Sequence, residues 1–241
     1  MQVIPAIDLR DGACVQLVGG SYAEERVRIA DPIAIAENWA RLGFGRIHLV
    51  DLDAATGRGS NREIVTEILG SLTRERGINV QCGGGVRDFA TIDQLLALGA
   101  SEVVLGTRAI EDRAWLEEAV TRFPNRIVIA ADARERQLVL RGWSETDSRD
   151  VLDFIDELAS LPLAGILVTA VEREGRLEGP DLPLMREIAL RSTHPIQASG
   201  GLRSEADIRA LAELGVSAAI VGMALYTGAL DPQTIIEEFA A

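Results

Sequence analysis

A chain of 241 residues, 47% hydrophobic and 25% charged, is long enough to close a large core unaided, which excludes a small disulfide-dependent scaffold. Its 37 acidic residues against 24 basic ones leave a net charge of −13, so neither nucleic acid nor an anionic membrane surface is an expected partner. The basic residues are all arginine, and the absence of a lysine amine excludes Schiff-base chemistry and a lysine-anchored cofactor, leaving proton transfer to carboxylates.

The first apolar run, 3–7, is closed by Asp8 and lacks the basic lead and long apolar stretch of a signal peptide, so a cytoplasmic protein is expected. Cys14 and Cys82 are the only cysteines, too few for a disulfide framework or a cysteine-based metal cluster. Asp31 and Pro32 then mark a helix start. Ile33, Ala36, Trp39 and Ala40 share one helical face, and Gly43 ends it. Further short apolar runs occupy 47–50, 78–80, 103–105, 127–131, 166–168, 196–198 and 218–221, giving eight predicted strands. Between them, Ile92, Leu95 and Leu96 form a helical face ending at Gly99, and Ile208, Leu211 and Leu214 another ending at Gly215. His48 reads as a core histidine and His194, before Pro195, as a turn residue. Two histidines cannot build a multi-histidine site, so no metal is expected. Alternating strands and helices predict a parallel sheet covered on both faces, and eight units fit a (β/α)8 barrel as one domain over 1–241. An open doubly wound sheet is the alternative.

An internal repeat favours the barrel. Residues 80–110 align with 196–226 without a gap, at a shift of 116, carrying Gly84 onto Gly200, Gly85 onto Gly201, Arg87 onto Arg203, Gly99 onto Gly215 and Gly106 onto Gly222. Residues 48–58 match 166–176, which sets Asp51 opposite Thr169 and Gly57 opposite Gly175. Asp8 and Asp132 each close an apolar strand, with an arginine two residues later. Two similar halves, roughly 1–122 and 123–241, are expected to form a barrel with approximate twofold symmetry.

In each half a strand runs into a glycine pair and then a helix, and the next strand ends in a lone glycine. Glycine lets backbone N–H groups approach a ligand, and a helix start favours an anion, so each half is expected to cradle a phosphate. The first cradle uses Gly84, Gly85, Gly106 and Thr107. The second uses Gly179, Ser199, Gly200, Gly201, Gly222 and the backbone of Met223. A small-molecule substrate with a phosphate at each end follows. Asp8 and Asp132 end opposite strands of an eight-membered ring, where one can take a proton while the other gives one, an arrangement suited to isomerisation. Thr169 supplies a hydroxyl between them. Cys82 is read as facing the first cradle, and Asp51 has no assigned role.

These residues also carry a family resemblance. The start PAIDLRDGACVQL, the run HLVDLDAATGRGSN, GGGVR, the RGW of Arg141 to Trp143, Thr169 followed by REG, ASGG and VGMALYTG together resemble the ProFAR isomerase family of histidine biosynthesis over nearly the whole chain. The resemblance implies an Amadori rearrangement of an aminoaldose bearing a phosphoribosyl group at each end, needing neither metal nor cofactor; a monomer is expected. It implies Asp8 as the base, Asp132 as a proton donor, Thr169 as a hydrogen-bonding aid, Trp143 as a stacking lid and Arg87 as a mobile contact. Three positions depart from the family pattern: Ala170 and Glu174 stand where acidic residues, an aspartate at the latter, are usual, and Met223 where a basic residue is common. Glu174 is therefore an alternative proton donor to Asp132. Two alternative functions stay open: an enzyme that also isomerises phosphoribosylanthranilate, and a catalytically silent bis-phosphate-binding barrel.

Overall fold

The computed structural model describes residues 1–74 and 76–239. Eight parallel strands, β1 (Gln2–Arg10), β2 (Arg46–Asp51), β3 (Asn79–Gly83), β4 (Glu102–Leu105), β5 (Ile127–Ala130), β6 (Gly165–Thr169), β7 (Ile196–Ser199) and β8 (Ala218–Val221), stand in chain order round a ring. β8 pairs with β1, Gln2 opposite Ala218 and Pro5 opposite Val221, which closes the (β/α)8 barrel and excludes the open sheet. Helices cover the outside and start and stop on the expected residues. Asp31 accepts from the Ala34 N–H at the head of Pro32–Leu42, and Gly43 ends it at φ 117°. Asp88 and Gly99 do the same for Phe89–Leu98. In Glu205–Glu213 the cap is Leu214, with Gly215 just beyond at φ 85°.

The two-residue pleat sorts every barrel strand into an inner and an outer row. Ile4, Ala6, Val104, Val128, Leu167, Ala218 and Ile220 meet inside the ring. The alternate residues, among them Ile7, Leu49, Val80, Cys82, Ile129 and Val168, pack outward against the helices. A polar layer crosses the interior below the mouth. Gln81 Nε2 donates to Gln197 Oε1 at 2.9 Å and to His48 Nδ1 at 2.7 Å, while Arg46 donates to Gln81 Oε1 and pairs with Glu102. Gln81 and Gln197 are repeat partners on opposite strands, so the two halves grip each other through matching amides.

The same pleat moves one correspondence of the repeat by a residue. Val50 pairs with Gly83, and Thr169 pairs with Ser199, the repeat partner of Gly83. Val50 is therefore the counterpart of Thr169, and Asp51 that of Ala170. A one-residue slip within a strand would exchange its faces, so the length difference lies in the following loop, before Gly57 and Gly175, both at φ 69°.

Two antiparallel additions follow the aspartate-bearing strands of the two halves. After β1, strands Ala13–Val18 and Ser21–Ile29 form a hairpin turning at Gly19 and Gly20. After β5, strands Ala133–Arg134, Gln137–Leu140 and Glu145–Asp150 form a small separate sheet.

Candidate active site

The C-terminal strand ends open into a cavity of about 660 Å³ lined by Asp8, Asp132, Thr169 and Glu174. Gly84, Gly85, Arg87, Gly106, Thr107, Trp143, Ser199 and Gly222 line the same space. Asp8 and Thr169 reach it because they fall on the inner row of their strands, and Asp132 continues the inner row of Val128 and Ala130 two residues past the end of β5. Asp51 falls on the outer row; its carboxylate caps the Leu52–Thr56 helix and accepts from the Asn61 N–H at 2.7 Å. Cys82 is also outward and lies in the outer core, which corrects its expected place at the first cradle; burial pushes its thiol up to about 12.

Besides Glu111, which pairs with Arg141 at the rim, three carboxyls share this cavity. Asp8 is pushed up to about 7 by burial and by the nearby charge of Glu174. Glu174 is also raised to about 7, by burial and then by Asp132, against the opposing pull of the Ser199 hydroxyl, which donates to its Oε2 at 3.4 Å. Asp132 is raised by burial, although hydrogen bonds from Trp143 and Thr169 favour its ionised form. The Trp143 Nε1 lies 2.8 Å from Asp132 Oδ2. Burial and like charge thus leave Asp8 and Glu174 near the middle of their titration at neutral pH, with proton and vacancy in one space. Glu174 enters from the turn after β6, where the Gly19 N–H of the first hairpin donates to its carbonyl at 3.0 Å.

The glycine loops are held by packing as well as by conformation. Gly84 and Gly200 have φ 100° and 101°, and a Cβ on either would run into the backbone of Asp51 or Ala170 respectively. The first cradle opens on the large cavity. Thr107 heads the Thr107–Glu111 helix, and its hydroxyl accepts from the Arg141 N–H at 2.8 Å. The Arg87 guanidinium donates to the carbonyls of Ala54 and Ala55. The second loop surrounds a separate niche of about 20 Å³, lined by Gly200, Gly201, Gly222 and Met223 together with Glu174, a space of about one water. Gly179 lines neither space; its N–H is spent on the Gly201 carbonyl at 2.8 Å. The two cradles match in sequence and differ in openness. Among the described residues no group of three His, Cys, Asp or Glu side chains could hold a metal ion.

Comparison with known proteins gives this cavity a context. A family model described as histidine biosynthesis protein matches residues 2–231. A relative from Gemmatimonas aurantiaca is 54% identical over the full length of both chains, and one from Myxococcus xanthus is 51% identical, again over the full length of both. A third, from Gloeothece citriformis, is 40% identical over 98% of this chain and 92% of its own. All three are named 1-(5-phosphoribosyl)-5-((5-phosphoribosylamino)methylideneamino)imidazole-4-carboxamide isomerase. The chain belongs to the ProFAR isomerase family of histidine biosynthesis.

The departures from the ProFAR isomerase pattern cluster round the second cradle. Ala170 lies outside the cavity lining, whereas Glu174 reaches both the cavity and the niche, and Met223 is a buried wall of the niche. Sequence reasoning missed Gln16, which lines the cavity and places its Nε2 3.3 Å from Asp8 Oδ2. Its strand, Ala13–Val18, is buried at every position, so no alternation marked Gln16 as facing inward. His48 proves to be both a core residue and part of the cavity floor, and burial together with Arg46 pushes it down to about 4.

Proposed function

We propose that this chain isomerises the phosphoribosylated imidazole carboxamide in its relatives' names by carboxylate acid–base catalysis. The observation that carries the reading is the shared cavity in which Asp8, Glu174 and Asp132 are all held above the usual carboxylate range. In an Amadori rearrangement an acid protonates the sugar ring oxygen as the C1–O bond breaks. A base then takes the C2 proton, the freed electron pair forms an enolamine, and protonation at C1 with loss of the 2-hydroxyl proton leaves the ketose. Asp8, ionised, is the base. Glu174 holds the first proton, because Trp143 and Thr169 both donate toward Asp132 and favour its ionised form. Thr169 steadies Asp132, and Trp143, which lines the cavity, is the lid that stacks on the imidazole carboxamide. Arg87 stands at the rim beside the first cradle.

The relatives' name contains two phosphoribosyl groups, which matches one cradle per half of a single barrel built from 1–122 and 123–241. Gly84, Gly85, Gly106 and Thr107 take one phosphate; Ser199, Gly200, Gly201, Gly222 and the Met223 backbone take the other. Gly179 supports the second loop. Two unpaired, buried cysteines suit a cytoplasmic location. Leu190 is the one large apolar side chain left exposed among the described residues, which suits a monomer. No helix among the described residues is long and apolar enough to cross a membrane. The test is turnover of the imidazole carboxamide by the purified chain. Asp8→Asn is expected to lower kcat by about 10³-fold or more, the upper range for loss of a general base. Retention of wild-type kcat would remove Asp8 from the chemistry.

A further inference from the structure

Gln16 is 2% exposed and comes from the hairpin strand Ala13–Val18, outside the eight strands of the barrel. Its two polar atoms face different parts of the site. Nε2 lies 3.3 Å from Asp8 Oδ2. Oε1 stands directly before Gly222, where any Cβ would strike it. Gly222 has φ −105° and ψ −96°, outside the ordinary α and β regions, so glycine there both satisfies the backbone and leaves room for the Gln16 carboxamide. Gly222 borders both the large cavity and the small niche. The carboxamide therefore stands where the second cradle meets the base.

We propose that Gln16 is a positioning residue for the isomerisation: by donating to one oxygen of Asp8 it fixes the carboxylate's rotation, leaves the other oxygen for the substrate carbon, and favours the ionised form. Rotation about the Cα–Cβ and Cβ–Cγ bonds would otherwise spread a short carboxylate over several orientations, and a general base acts only within hydrogen-bonding reach of the proton it removes. A neutral amide suits this task because it can donate to a carboxylate without adding a charge that would suppress its basicity. The inference rests on Asp8 being the base.

The experiment compares Gln16→Leu and Gln16→Glu with wild type across pH, using the imidazole carboxamide as substrate. Loss of the donor in Gln16→Leu is expected to lower kcat about tenfold with KM changed less than threefold, and to move the acid limb of the kcat/KM profile upward. Gln16→Glu, similar in shape but adding a like charge, is expected to move that limb further still. Thermal unfolding shows whether each variant is folded, and if Leu does not fold, Glu alone carries the comparison. An acid limb that stays at its wild-type position in the folded variants, or a change confined to KM, overturns the proposal. Carbon-13 NMR of the Asp8 carboxyl, assigned by its loss in Asp8→Asn, reads its titration without turnover. If Asp8→Asn remains active, the base assignment fails by itself, and an unmoved Asp8 titration in the Gln16 variants separately overturns the contact.

Discussion

A buried carboxyl whose folded pKa stands above its unfolded value binds more protons in the native state than in the unfolded one. Its contribution to stability is fully present below the unfolded value and is lost as pH rises through the folded value. For Asp8 that window runs from the ordinary carboxyl value of 3.8 to about 7, and for Glu174 from 4.5 to about 7. Asp8→Asn is thus expected to be more stable than wild type at pH 8, by on the order of 2 kcal/mol, with the advantage shrinking toward pH 4; urea unfolding at the two pH values measures it. An Asp8→Asn chain no more stable than wild type at pH 8 would show that its carboxylate is not strained by burial. Glu174→Gln removes the proposed proton donor, so kcat should fall about 10²-fold or more and the alkaline limb of its pH profile should disappear. At this scale the sequence was informative where symmetry or strand ends marked a residue, as for Asp8 and Asp132. Gln16 carried no such mark, because its contact with Asp8 crosses from the hairpin to the barrel.

Loops and strands test a different part of the reading. Gly84→Ala must accept both a φ near 100° and a collision with the Asp51 backbone, and Gly200→Ala meets the same conflict at Ala170. Each is expected to cost about 2 kcal/mol or more, read by chemical denaturation. Gly106 has no neighbour within 4 Å of an added Cβ, but its φ −111° and ψ −116° lie outside the regions alanine favours, so Gly106→Ala should cost less than Gly84→Ala, about 1 kcal/mol, while raising KM severalfold. Equal loss of stability in Gly106→Ala would make that glycine a packing requirement as well. All eight barrel strands were legible because each is a short apolar run buried on both faces. The two antiparallel additions were not, since Ala13–Val18 has no alternation and Glu145–Asp150 is polar throughout. Their turns matter all the same: Arg141, Gly142 and Trp143 have successive φ values of 53°, 63° and 68°, and this left-handed run aims the indole at Asp132.

Across the whole molecule, two chemically similar halves differ in how they receive an anion. The first cradle opens on a cavity of about 660 Å³, the second on a niche of about 20 Å³ beside Gln16. Inorganic phosphate is therefore expected to occupy the first cradle at lower concentration than the second, with crystallographic occupancy over a soak series as the readout. Reversal of that order would place the tighter site in the second half. The gap-free repeat was visible in sequence, but this asymmetry was not, because it depends on how Glu174, Leu177 and Leu202 close round the second loop. The strand pleat also limits how such a chain can change over time. Gain or loss of a single codon inside a barrel strand would turn its wall inside out, whereas the missing residue before Gly175 disturbs no side-chain direction. Length variation that alters substrate choice therefore belongs in the rim segments, and any library built on this scaffold should randomise their length while leaving each stave at its present count.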